Sequence, residues 1–585
     1  MKKKVLLLLL IIISVVFGVM SVGAASLYGD LNEDDSVDSI DFAIMKGTLL
    51  SKLTIGNITL ADLNGDGYIN SLDLALLKMY LLGKISKFPI EDLNPIITPT
   101  PEQEVTPTPA ISVTPTPTKI GEEVFEFKIK ISNRGGVYYF PIKSSDKKYN
   151  IDVDWGDGIR SNITDYSARG HKYEKAGTYT IKVFSFDYMP LFFFNDKNLI
   201  EVITPIPDLG DKYFHSFFNG CENLEKIPEG LFANNINATS FAYCFDGCSS
   251  LMEIPEGLFA NNINATDFSG CFSGCERLKE IPEGLFANNI NATSFEYCFK
   301  GCSDLIEIPE GLFANNVNVT NFSGCFYLCS GLREIPEVLF ANNINVISFM
   351  ECFGSCENLR EIPRGLFSNN INVKDFSYCF TGCSSLREIP EGLFDNNINV
   401  TTFCQTFWAC TSLTEIPESL FENNVNVTNF IGCFRSCSSL MEIPEGLFDN
   451  NIKAANFLFC FSECINLTEI PKGLFDNNIN VTDFSKCFER CENLREIPEG
   501  LFDNNVNVTD FSYCFYGCGN LTKIPEGLFD NNINVTDFEG CFCHCRGLTG
   551  LAPALWQRSN VTSHKYCFYS CTELDNYYDI PRDWR

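Results

Sequence analysis

A phenylalanine recurs at every twenty-seventh position from Phe214 to Phe538, thirteen times in all, and this spacing constrains the fold more than any other feature. Residues 295–321 form one such unit, and a shortened fourteenth unit follows the last full one. A single unit of this length cannot bury its own apolar face, whereas a stack of units buries a continuous core. The period therefore predicts a solenoid over residues 193–585.

The pattern inside a unit predicts one short helix and one short strand. Two phenylalanines and two cysteines in residues 295–302 have the i, i+3, i+4, i+7 spacing of one helix face. Leu305 and Ile308 then suit a strand that must end at Pro309, which has no N–H to donate. The asparagines of residues 315–318 suit turns, and in register they can form a side-chain ladder. The expected fold is an α/β solenoid.

This repeat resembles the BspA-type leucine-rich repeat surface proteins of bacteria over about residues 195–585. Cysteine stands where methionine or another apolar residue is frequent in that family. The resemblance implies a role in binding or adhesion, which the period alone does not indicate.

All 28 cysteines of the chain lie in the repeat array. Two cysteines four residues apart on a helix are ~5–6 Å apart at Cβ, whereas a disulfide needs ~3.5–4.5 Å. Disulfides between adjacent coils remain possible, and zinc is disfavoured because no histidine is regularly placed. We expect buried free thiols that pack as small apolar side chains.

Near the N-terminus, residues 30–41 and 62–73 share a pattern of oxygen-bearing side chains, and an apolar stretch follows each segment. Oxygens at positions 1, 3, 5, 9 and 12, with a backbone carbonyl at position 7, suit a cation that takes six to eight oxygen ligands. We predict two calcium ions. The ligands are Asp30, Asn32, Asp34, Ser36, Asp38 and Asp41 in the first loop, and Asp62, Asn64, Asp66, Tyr68, Asn70 and Asp73 in the second.

Residues 26–92 resemble a type I dockerin, the small α-helical module by which cellulosomal proteins dock onto the cohesin domains of a scaffoldin. The resemblance implies a cohesin partner and a set of contacting residues: Ser39, Ile40, Lys46, Ser71, Leu72 and Lys78. Asp35 departs from the family, because it replaces the glycine expected at the sharp turn of the first loop. We expect calcium removal to abolish cohesin binding.

Two further segments flank this module. Residues 1–25 have the lysines, the apolar run and the small residues of an export signal, so we expect secretion and no transmembrane segment after cleavage. Residues 93–120 are rich in Thr-Pro pairs, which favour an extended, semi-rigid linker.

Residues 121–192 alternate apolar and polar positions, as half-buried strands do. The Trp-Gly-Asp-Gly turn at residues 155–158 and the His-x-Tyr that starts at His171 resemble a PKD-type domain, which implies an immunoglobulin-like β-sandwich. We expect His171 to hold the turn that contains Asp157 rather than to act as a ligand or a catalyst.

The charge balance and the motifs restrict the function. A formal net charge of −31 argues against nucleic-acid binding, and the chain has no P-loop, nucleophile elbow or zinc-protease helix. The expected function is that of a non-catalytic, extracellular component of a cellulosome-like complex, whose repeats bind protein or polysaccharide in plant polysaccharide breakdown. An enzyme or protease inhibitor with its activity in the repeats is the alternative, since a glycosidase needs only two carboxylates among 74 acidic residues.

Overall fold

The computed structural model describes residues 124–585, apart from Asp146, Tyr188 and Asp211, together with five isolated residues nearer the N-terminus: Leu31, Val37, Ala61, Leu63 and Leu77. The chain divides into two compact units, residues 1–116 and 117–585. In the first unit Ala61, Leu63 and Leu77 are fully buried. Within the described part of the chain, no helix has the length and apolar character that crossing a bilayer requires.

The second unit begins with two antiparallel sheets. Their strands are β1 (Phe125–Ile131), β2 (Val137–Tyr139), β3 (Ile151–Asp154), β4 (Arg160–Ile163), β5 (Gly170–Lys172), β6 (Gly177–Phe186) and β7 (Leu199–Val202). Five of them form a sheet in the order β4-β3-β6-β1-β7, and β2 pairs with β5. A 3-10 helix, Tyr166–Arg169, lies between β4 and β5. The predicted alternation holds along β1, where Phe125, Phe127 and Ile129 are buried.

The hydrophobic core of these sheets continues into the repeats. Strand β7 lies beyond residue 192 and pairs with β1, so that Phe127 faces Val202. Phe193 stacks on Phe218 of the first repeat with ring centroids 5.2 Å apart, and one cluster of buried side chains runs through both regions. The predicted boundary at residue 192 thus marks a change of sequence pattern inside a shared core.

The prediction of a helix at the start of each unit is wrong. In residues 295–302 the N–H of Cys298 donates to the carbonyl of Phe295, three residues back, while the N–H of Tyr297 donates to Ser323 of the next coil. Tyr297 and Gly301 have positive φ angles of 54° and 72°, which no right-handed helix contains. Successive turns place the phenylalanines and cysteines inside, and turns of this kind share the apolar spacing that predicted a helix.

The strand predicted at residues 305–308 is also not a regular strand. There the N–H of Ile306 donates to the carbonyl of Lys279 of the preceding coil at 3.4 Å, and the segment forms no continuous ladder with its neighbours. Parallel bridges occur instead at the residue before each leading phenylalanine, as between Ser294 and Asn321, and thirteen of them run in series from Tyr213 to Ser563. The repeat array is therefore a solenoid of turns joined by single bridges, not an α/β solenoid.

Aromatic stacks and asparagine ladders run through the solenoid. Phe295 and Phe322 of adjacent coils stack with centroids 5.9 Å apart and planes 8° from parallel. The predicted asparagine ladder is confirmed, and its acceptors are backbone carbonyls. Asn316 Nδ2 donates to the carbonyls of Asn289 at 2.9 Å and Phe286 at 3.1 Å, and the same pattern recurs along the array.

The cysteines line the core as thiols. All 28 are free, and every one except Cys404 is buried, so the expected burial is confirmed for nearly all of them. The second cysteine of a unit points at the preceding coil, as where Cys302 Sγ donates to the Phe272 carbonyl at 3.3 Å.

Different structures close the two ends of the solenoid. At the N-terminal end the sheets cover the first coil. At the C-terminal end Trp584 is buried and stacks on His564 with centroids 4.6 Å apart. Nearby, the guanidinium of Arg558 donates to the carbonyls of Asn532 and Phe529, which puts it where a further asparagine would continue the ladder. Such capping keeps a repeat array from exposing its core.

Candidate functional site

The predicted calcium and cohesin sites lie outside the described residues. The twelve predicted ligands still form a donor set that suits calcium, because ten of them carry carboxylate or amide oxygens and Ser36 and Tyr68 stand where a backbone carbonyl is needed. The six predicted cohesin-contacting residues also stay a prediction.

His171 holds a turn in the sheet region, as expected. Its Nε2 lies 2.8 Å from Asp157 Oδ2, and its ring stacks on Trp155 with centroids 4.7 Å apart. Trp155 in turn donates its indole N–H to Ser161. These contacts fix the turn and give His171 a structural role.

One constant surface of the solenoid is an acidic groove. Glutamate occupies the thirteenth position of ten consecutive units, from Glu253 to Glu496, and the Ile-Pro pair beside it lines the groove, as Ile389 and Pro390 do. A second row of glutamates at the sixteenth position is interrupted by Arg364 and by Lys472. Rows of like charge repel anionic ligands.

Another surface varies from coil to coil, and we call it the variable face. It consists of the second, third, sixth and seventh residues of each unit, positions at which the units differ while their core residues repeat. In the thirteen full units its aromatic members are Tyr243, Tyr297, Tyr327, Tyr378, Trp408, Phe459, Tyr513 and Tyr516. Sequence reasoning missed this surface because it followed what the units share. Comparing the units for their differences would have found it.

In the C-terminal half of the variable face, aromatic rings alternate with cations. The guanidinium of Arg435 lies 5.7 Å from the centroid of Trp408 and 4.6 Å from that of Phe459. The ammonium of Lys486 then lies 4.8 Å from Phe459 and 5.5 Å from Tyr513. Such contacts contribute about 0.5–1 kcal/mol each at exposed sites and hold the rings in place.

Two tyrosines of the variable face are held by carboxylates. The Tyr297 hydroxyl donates to Glu351 Oε2 at 3.1 Å, and burial together with this carboxylate raises the pKa of Tyr297 to about 12. The Tyr513 hydroxyl donates to Glu539 Oε1 at 2.7 Å, and this hydrogen bond, with burial, raises the pKa of Tyr513 to about 12. Both hydroxyls are therefore neutral donors at physiological pH.

The cysteines have the wrong electrostatics for nucleophilic catalysis. Burial raises the pKa of Cys329 to about 12 and that of the less buried Cys543 to about 11. Because the thiolate is the reactive form, these groups are inert at neutral pH. Within the described ranges, no three His, Cys, Asp or Glu side chains are grouped so that they could hold a metal ion.

Comparisons with protein families match two parts of the chain. Residues 28–82 match the dockerin type I domain. Residues 455–580 match the family described as Mycoplasma protein of unknown function, DUF285. A comparison with curated proteins gave no match.

Solved structures also match this chain. One match is a chain from the structure of the third cohesin ScaC in complex with the ScaB dockerin, from Acetivibrio cellulolyticus. Its sequence is 36% identical to this chain, the match covers 11% of this chain and 96% of that chain, and the TM-score is 0.11. A scaffoldin B cohesin with a mutant Cel5 dockerin, from the same organism, is 45% identical, with coverages of 10% and 97% and a TM-score of 0.10. A leucine-rich cell surface protein from Faecalibacterium prausnitzii is 16% identical, with coverages of 72% and 98% and a TM-score of 0.30. The chain thus joins a dockerin type I domain near its N-terminus to a repeat array that contains a DUF285 region.

Proposed function

We propose that this protein is a non-catalytic, secreted component of a cellulosome-type complex. Its dockerin binds a scaffoldin cohesin, and its repeats present a binding surface in plant polysaccharide breakdown. The dockerin type I match over residues 28–82 carries the proposal, and matched dockerins of Acetivibrio cellulolyticus were solved in complex with cohesins.

Calcium is the ion that the dockerin loops would hold, since dockerin type I domains bind calcium. The six ligands of each loop bring several carboxylates together, and a bound cation offsets their mutual repulsion. Asp35 replaces a turn glycine in the first loop, so we propose that the first site binds calcium less tightly than the second.

Two observations support a non-catalytic role for the repeats. Dockerin and BspA-type repeat families are not catalytic families. The glutamates of the acidic groove also recur in near-identical surroundings, whereas acid–base catalysis needs two carboxylates whose surroundings push their pKa values apart.

The proposal is tested by calorimetric titration of the full chain with a panel of type I cohesins. We expect binding with calcium, loss of binding with chelator, and recovery when calcium is restored. Asp66→Ala should weaken binding, while Asp157→Ala, outside the dockerin, should not. Undiminished binding in chelator would contradict the dockerin assignment, and turnover of a polysaccharide or peptide panel would contradict the non-catalytic role.

A further inference from the structure

In three pairs of adjacent coils, a tyrosine at the third position of one unit lies against a glycine at the same position of the next. A Cβ atom added to Gly270 would lie 2.4 Å from Tyr243 Cδ1, and one added to Gly324 would lie 2.1 Å from Tyr297 Cε1. Tyr513 is placed against Gly540 in the same way. Each ring thus occupies the space that a side chain on the neighbouring coil would fill.

The backbone alone does not require glycine at this position. The third residue has positive φ in many coils, yet Glu351, Gln405 and Lys486 occupy it with φ angles of 58°, 52° and 57°. Instead, the ring of Tyr243 excludes a side chain from Gly270, and the ring of Tyr297 excludes one from Gly324. The alternation of tyrosine and glycine at the third position of these coils therefore lets the tyrosine rings lie along the surface of the array.

Tyr243 and Tyr297 form a spaced pair. They are two coils apart, which is about 10 Å along the array. Tyr243 is 38% exposed, and polar groups border Tyr297: the Lys300 ammonium lies 5.0 Å from its ring centroid, and Glu351 accepts from its hydroxyl. Aromatic surface with a few polar groups around it is typical of ligand sites.

We infer that Tyr243 and Tyr297 form a stacking platform for a neutral β-linked polysaccharide chain that runs along the array. This inference rests on the proposed function and names the ligand class of the repeats. Pyranose rings with equatorial hydroxyls present C–H groups on their faces, and these groups are attracted to the electron-rich face of an aromatic ring. The hydroxyls at the ring edges are then within reach of polar groups such as Lys300 and Glu351.

Charge and periodicity favour this ligand class. The chain has a formal net charge of −31 and rows of glutamate on the same solenoid, which disfavours anionic polymers such as polyuronates. A linear polymer of repeating units also suits two stacking sites that lie about 10 Å apart along the array.

The test is affinity electrophoresis of the full chain in gels that contain mixed-linkage β-glucan, xyloglucan or polygalacturonate. We expect retardation in the neutral polymers and none in polygalacturonate. The double variant Tyr243→Ala, Tyr297→Ala should lower the association constant about tenfold or more. Tyr578→Ala, which removes an 82% exposed tyrosine from the C-terminal cap, should bind normally.

A matched pair of glycine variants tests the geometry. Gly324 and Gly301 both have positive φ, of 60° and 72°, but a Cβ on Gly301 meets only backbone atoms of Gly274 at 3.7 Å. Gly324→Ala should displace the Tyr297 ring and weaken binding, whereas Gly301→Ala should leave binding unchanged. Circular dichroism and thermal melts confirm that each variant is folded before its binding is compared.

Three outcomes overturn the inference: no retardation in any neutral polymer, equal retardation of the tyrosine variants, or capture of a protein partner through the same tyrosines in place of glucan. Cohesin binding is titrated on the same samples. Retained cohesin binding with no glucan binding rejects the platform alone, whereas lost cohesin binding rejects the proposed function.

Discussion

At the scale of single residues, the asparagine at the twenty-second position of the first twelve units ties neighbouring coils together. Asn370 is fully buried, and its Nδ2 donates to the carbonyls of Phe340 at 3.1 Å and Asn343 at 2.9 Å. Its Oδ1 has no partner among the described residues, and the same holds for the equivalent oxygen in eleven consecutive coils. The amide therefore acts as a donor to backbone groups that no water reaches.

Replacing Asn370 with alanine should destabilise the array. The buried carbonyls of Phe340 and Asn343 each lose one of their two donors and keep a backbone N–H, from Asn343 and Val346 respectively. Each lost hydrogen bond costs about 0.5–1.5 kcal/mol. Asn372→Ala is the matched control, because Asn372 makes a similar bond to Ile344 at an exposed position where water can replace it. Urea unfolding of both variants gives the comparison, and equal losses would contradict a special role for the buried ladder.

Thiol reactivity should follow burial. Cys404 is the one cysteine that is not buried, so we expect a thiol reagent to modify it first in the native protein and the remaining cysteines only after unfolding. Cys404→Ser should remove the fast phase. Labelling in denaturant without reductant should find all 28 thiols, and a lower count that reductant restores would show disulfides instead.

At the scale of the element, the opening turns of each unit explain why the sequence predicted a helix. A helix and the observed series of turns bury the same apolar positions of residues 295–302, so the spacing predicted the buried side chains correctly. The spacing does not show that Tyr297 has a positive φ, which L-residues usually avoid. Hydrogen bonds to the next coil offset that strain, and they depend on neighbours that a single unit does not reveal.

Strain at the seventh position can be tested in both directions. Ala409 has a φ of 59°, so Ala409→Gly should relieve about 1–2 kcal/mol of backbone strain. Ordering a glycine costs about 0.5–1 kcal/mol more chain entropy than ordering an alanine, so the net effect should be stabilising. Gly247→Ala should destabilise the array, because Gly247 has a φ of 72°. An added Cβ meets only ordinary contacts at 3.6 Å, so backbone strain and not a steric clash would be the cause. Melting temperatures should shift in opposite directions, and a shift of the same sign would argue against backbone strain as the cause.

At the scale of the whole molecule, the dockerin type I domain near the N-terminus and the repeat array were predictable from the spacing of residues. The continuity of the core between the sheets and the repeats was not, because it depends on contacts such as Phe193 with Phe218 that follow no pattern. The variable face was missed for a related reason: its residues follow no period. Periodicity thus predicts what is buried, and the departures from it mark the candidate site.

The sheets should act as an N-terminal cap. A fragment of residues 193–585 lacks β1 and exposes Phe193, whose ring centroid lies 6.3 Å from that of Phe125 and 5.1 Å from that of Phe127. We therefore expect this fragment to aggregate. The fragment of residues 117–585 keeps this cover and should elute as a monodisperse species in size-exclusion chromatography. Equal solubility and stability of the two fragments would contradict the capping role.

The buried thiols should make stability depend on alkaline pH. Burial raises the pKa of thiols such as Cys298, Cys325 and Cys352 in the folded state, so the unfolded chain releases protons that the folded chain keeps. Stability should be constant below about pH 8 and fall above it, by about 1.4 kcal/mol per pH unit for each thiol that ionises on unfolding. Urea midpoints measured from neutral to alkaline pH test this, and a flat profile would contradict it.

Every interior coil meets nearly the same stacks and ladders above and below, as Asn316 does between Asn289 and Asn343. An in-frame duplication or deletion of one unit in the coding DNA would therefore join surfaces that already fit each other. Such an event would lengthen or shorten the array by about 4.8 Å and leave both caps intact. The fold thus permits copy-number change, by which a lineage can lengthen or reorder its variable face without redesigning its core.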